Sequence, residues 1–64
     1  MTEKDLILRF PREIKLDCLR AALDQGELGV FLGLSKILLD ANISDGGIET
    51  EVIEKIHNDY MNKP

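Results

Sequence analysis

Apolar positions along this chain change their period at Phe10–Pro11. Before the break, Leu6, Leu8 and Phe10 alternate with Asp5, Ile7 and Arg9, a period of two that predicts a strand over residues 5–10. The first three would face inward and the second three outward. Pro11 offers a ladder no N–H and carries a fixed φ, so it stops the strand and opens a helix. Over residues 12–24 the period is helical, with Ile14, Cys18, Ala21 and Ala22 on one stripe and Leu16, Leu19 and Leu23 widening it. Gln25-Gly26 supplies a left-handed cap. A second helix is predicted over 28–42, apolar almost all round, and such a helix needs cover on several sides. Gly29 and Gly33 would share a face open to another helix; alternatively they sit in a loop and the helix starts after them. Asn42 to Gly47 is turn chemistry. A third helix is predicted over 48–61, where Ile48, Val52, Ile56 and Tyr60 form a narrow stripe flanked by Ile53, and Glu49, Glu51, Glu54 and Lys55 face water. Residues 1–4 read as a loose polar arm.

Size and charge sharpen this picture. A chain of 64 residues makes one domain and buries only ~60% of its unfolded surface, so it needs reinforcement. One cysteine gives no internal disulfide and one histidine no zinc-finger spacing, which leaves oligomerisation. Nothing approaches the ~20 apolar residues of a membrane span, and no signal-peptide pattern is present. A cytoplasmic protein with reduced Cys18 is expected. The net charge of −4 opposes phosphate binding. Even so, Lys4, Arg9, Arg12, Lys15 and Arg20 concentrate in the first twenty residues, while acidic groups dominate the remainder.

The run Leu8-Arg9-Phe10-Pro11-Arg12-Glu13-Ile14, followed by a helix reaching Gly26, resembles the Arc/Mnt-like ribbon-helix-helix repressors. The resemblance covers roughly residues 5 to 40. It implies a mainly α fold with one short N-terminal strand: a homodimer pairing two strands into a ribbon that enters the DNA major groove, here with an additional C-terminal helix. It also implies that Asp5, Ile7 and Arg9 read base edges, Arg9 through a bidentate contact to guanine. Lys4, Arg12 and Lys15 would meet phosphates. Two features depart from that pattern: Asp5 repels phosphate, and Glu27 stands where the family's second helix grips one.

Other constellations carry less. Asp40 to Glu51 resembles a calcium-binding EF-hand loop, but Asp45 stands at the sixth position where glycine belongs, so a helix-connecting turn is expected and no metal. Cys18 on its apolar stripe reads as a buried structural thiol, and His57 as a surface or helix-end residue. No phosphate loop, paired-carboxylate site or nucleophile elbow occurs. Neither enzymatic activity nor a cofactor is expected. The leading expectation is a small homodimeric transcriptional regulator, phage- or plasmid-borne or an antitoxin, that binds operator DNA and holds a protein partner through its acidic last helix. The competing expectation is an acidic protein-binding regulator, such as an anti-repressor or inhibitor, on a similar dimeric helical scaffold. A third is an all-helical monomer with residues 5–10 as an extended arm.

Overall fold

In the computed structural model, which describes residues 2–62, four α-helices follow one another: α1 (Glu3–Arg9), α2 (Arg12–Asp24), α3 (Leu28–Asp40) and α4 (Thr50–Met61). A single 3-10 turn, Ile43–Asp45, joins α3 to α4. No strand occurs among the described residues, so the ribbon expected over residues 5–10 is not formed.

That segment belongs to α1, and its own residues explain why. Thr2 caps the helix by accepting a hydrogen bond from the Asp5 N–H at 3.3 Å. Glu3 and Asp5 lie in the first turn and Arg9 in the last, the arrangement the helix dipole favours. The run Leu6-Ile7-Leu8 satisfies either period, and a helix pairs its backbone groups internally where a lone strand would leave them open. The expected facing changes too: Ile7 and Leu8 pack against the core, whereas Leu6 and Phe10 are exposed. Residues 2–4 form the cap and first turn of α1 rather than a loose arm, and Met1 lies outside the described residues.

Pro11 caps α2 in an extended conformation, and Phe10 before it is extended as a pre-proline residue must be. At the other end, the Gly26 N–H bonds to the Leu23 carbonyl and the Glu27 N–H to that of Ala22, with Gly26 at φ 73°. This Schellman motif turns the chain sharply into α3. Helix α3 includes Gly29 and Gly33 in its interior and ends at Asp40, two residues earlier than expected. Ile48 and Glu49 precede α4, which begins at Thr50.

The core joins Leu19, Ala22 and Leu23 of α2, Phe31 and Leu38 of α3, Ile48 of the connector, and Ile53 and Ile56 of α4. On α2 the buried line is therefore rotated from the predicted stripe: Ile14 and Ala21 are exposed and Cys18 is only half-buried. Lys15, by contrast, is buried. Its amino group donates to the Gly46 carbonyl, tying α2 to the turn before α4.

The α3–α4 connector is tightly constrained. Gly46 has φ 103°, and a Cβ there would stand 2.3 Å from the Leu8 carbonyl oxygen. A Cβ on Gly47 would stand 2.1 Å from the Ala41 carbonyl oxygen, while the Ile48 N–H bonds to the Leu38 carbonyl at 3.1 Å. Gly46→Ala should therefore cost about 2 kcal/mol or more, combining a left-handed backbone with a clash. Gly29→Ala, in helical backbone where a Cβ meets nothing within 4 Å, should instead stabilise by up to ~1 kcal/mol. Urea unfolding of both variants checks the pair; equal midpoints would contradict the packing described.

Candidate protein-interaction site

The six residues expected to meet DNA do not form one surface. Lys4, Asp5 and Arg9 are exposed along α1, while Ile7 is half-buried on the same helix. Arg12 makes a two-pronged ion pair with Glu49, its two guanidinium nitrogens lying 2.6 and 3.3 Å from the two carboxylate oxygens. Lys15 is spent inside the fold on Gly46. Of the four cations expected to meet DNA, Arg12 and Lys15 are thus engaged by groups of their own chain, and Lys4 and Arg9 stay exposed on α1.

The ion pair also shapes the titration of Glu49. The hydrogen bond from Arg12 chiefly, then the residue's own backbone N–H, hold its carboxyl below the ordinary value. Both partners remain open to water, with side-chain exposures of 49% for Arg12 and 39% for Glu49, so the pair is worth little as stability.

The Arg12–Glu49 pair joins the first turn of α2 to the N-terminal cap of α4, and the far ends of the same two helices approach again. The two helices consequently run side by side in the same direction. At their C-terminal ends they leave a cleft of about 150 Å³ lined by Arg20, Leu23, Asp24, Ile56, Asp59 and Tyr60. Leu23 and Ile56 are buried and Tyr60 half-buried, giving an apolar floor with an aromatic ring, and Asp24, Asp59 and Arg20 form the rim. Arg20 also contacts Asp17 at 3.5 Å. Small-molecule pockets usually span ~300–1,000 Å³, so this cleft takes one side chain rather than a cofactor. An apolar floor suits an aliphatic stem, and the Asp59 carboxylate beside a tyrosine ring suits a cationic head.

These six residues lie outside those that the sequence marks as functional. Their signal was present as two matching triplets, Arg20-Leu23-Asp24 and Ile56-Asp59-Tyr60, each spaced i, i+3, i+4 and hence on one helix face. Only the pairing of α2 with α4 brings the triplets together.

Helix α3 is less covered than its composition predicts. Phe31, Ser35 and Leu38 are buried, but Leu28, Val30, Leu32 and Leu39 are 49%, 49%, 58% and 41% exposed. Half-exposed leucines of this kind leave roughly 1 kcal/mol each of burial free energy unrealised. His57, expected at the surface, is half-buried and stacks on Phe31 with ring centroids 5.6 Å apart. The resemblance of residues 40–51 to a calcium loop does not carry into the structure: Asp40 closes α3, Asp45 sits in the 3-10 turn and Glu51 lies inside α4. No cluster of three or more metal-ligating side chains occurs among the described residues. Nor is any helix among them long and apolar enough to cross a membrane.

No family model, no curated protein and no solved structure matches this chain. The resemblance to ribbon-helix-helix repressors therefore rests on its residues alone, and the structure makes those residues the end of one helix and the start of the next.

Because the folded carboxyl of Glu49 titrates below its ordinary value of 4.5, the stabilisation is complete above that pH and is lost as pH falls through the lower folded value. Thermal melting of the Glu49→Gln variant should fall less steeply with acidification below about pH 4.5 than that of the parent. Parallel melting curves would remove the Arg12 interaction as the cause.

Proposed function

We propose that this protein is a small acidic protein-binding regulator, of the anti-repressor or inhibitor kind, that works in the cytoplasm and recognises a basic partner. The observation that carries this reading is the cleft between α2 and α4. It has the volume of one side chain, an apolar and aromatic floor, and Asp59 on its rim, where the one cation, Arg20, is turned to Asp17. A lysine or arginine projecting from the partner would lay its stem on Leu23 and Ile56 and bring its head to the Asp59 carboxylate and the Tyr60 ring.

The surrounding charge supports the same partner. Glu51 and Glu54 stand exposed on α4 with Asp59, and Lys55 alone opposes them there. The chain as a whole carries −4, which attracts a basic protein from a distance and repels nucleic acid. Arg12 and Lys15 add little to counter this at short range, being held by Glu49 and Gly46. A single captured side chain gives modest affinity, so further contact from the acidic face of α4 belongs to the same interface.

Capture from extracts of the native host tests the reading. The full chain should retain a basic protein in stoichiometric amount, released as salt rises. An Asp59→Asn variant should retain it at least about tenfold less well, a loss near 1.4 kcal/mol. Unchanged capture by that variant overturns the cleft as the site. A sequence-preferring DNA complex at low salt, abolished by Arg9→Ala, overturns the proposal altogether.

A further inference from the structure

We infer that α3 carries a second, separate interface through which two copies of this chain dock antiparallel about a two-fold axis near Leu38. Leu28, Leu32 and Leu39 project within ~40° of one another around α3, at 100° per residue, and all three are exposed. Lys36 and Asp40 border this stripe on one side, also exposed. Among the described residues neither enters an ion pair.

The charges identify the occupant. A stripe bordered by one sign of charge would call for a foreign partner of the other sign. This border carries one of each, four residues apart, and is complementary to itself. In an antiparallel pair whose axis lies midway between them, Lys36 of each copy comes level with Asp40 of the other, each ~3 Å along the helix from the axis. Two equivalent ion pairs then form and no charge is left over.

The same register positions the apolar groups. Leu32, ~9 Å from the axis, lies beyond the end of the second copy's α3, which stops at Asp40. Past that end the surface opens into a trough of about 680 Å³ in which Leu39, Ala41, Ile43 and Ile48 are joined by polar residues that include Glu49 and Glu51. Leu32 is the most exposed leucine of α3, and the trough has room for it.

One helix stripe with two ion pairs at its border is smaller than the ~800 Å² per partner of a standard interface, and weak association, in the micromolar range, is expected of it.

Sedimentation equilibrium on the full chain from 5 to 500 µM, about two decades that bracket such a constant, tests this. The parent should pass from monomer to dimer across that range. Leu32→Gln, Lys36→Asp and Asp40→Lys should each weaken association at least about tenfold, equivalent to 1.4 kcal/mol, with helicity by circular dichroism unchanged. Mixing Lys36→Asp with Asp40→Lys should restore a dimer, because one copy then offers two acids and the other two lysines. A parent that stays monomeric at 500 µM, or a mixture that fails to associate, overturns the inference. So does a dimer indifferent to all three substitutions. The cleft between α2 and α4 is untouched by these changes, so partner capture there succeeds or fails independently.

Discussion

A buried lysine holds this fold closed. Lys15 extends through the interior from α2 to the Gly46 carbonyl, and removing its polar head from water is tolerable only because that acceptor meets it. The carbonyl is there because Gly46 adopts a left-handed backbone and because the Leu8 carbonyl of α1 approaches too closely for any side chain. The last turn of α1, the first turn of α2 and the distant connector into α4 therefore converge on one residue without a Cβ. Gly47 repeats the logic one residue later against the end of α3.

Once that corner is fixed, the remainder follows. The Ile48 N–H meets the Leu38 carbonyl, and Ile48 drops into the core beside Leu38. Glu49 then stands opposite Arg12, and α4 is launched alongside α2 in the same direction. That direction brings Asp59 and Tyr60 to Arg20 and Asp24 at the far end. The cleft is thus positioned by an anchor at the opposite end of the helices. The same anchor removes Lys15, and the ion pair beside it Arg12, from the cations available to bind a ligand.

A chain this short has little second layer, and its helices differ in how far the fold covers them. Helix α4 turns its stripe of Val52, Ile53, Ile56 and Tyr60 inward. Helix α3, apolar on almost every side, has one packed face and leaves Leu28, Val30, Leu32 and Leu39 in contact with water. The two candidate interfaces therefore differ in chemistry. One is a charged cleft over a small apolar floor, and the other is an apolar stripe with balanced charges at its border.

The sequence by itself determined what is local. Pro11 and Gly26 delimit α2 because one cannot continue a preceding element and the other tolerates the left-handed cap. The run from Asn42 to Gly47 had to turn, and the stripe of the last helix had to face a core. Thr2, Glu3 and Asp5 also wrote the helical start of α1, but the alternation of Leu6, Leu8 and Phe10 wrote a strand over the same residues. Only the tertiary structure decided between them, because the choice rests on whether the backbone pairs within its own turn or with another chain. It alone decided that Lys15 is buried rather than available to phosphate, since that depends on a carbonyl 31 residues away. It alone brought two ordinary helical triplets together into a cleft. Each of these outcomes turns on contacts between residues far apart in the chain, which periodicity along a single element does not encode.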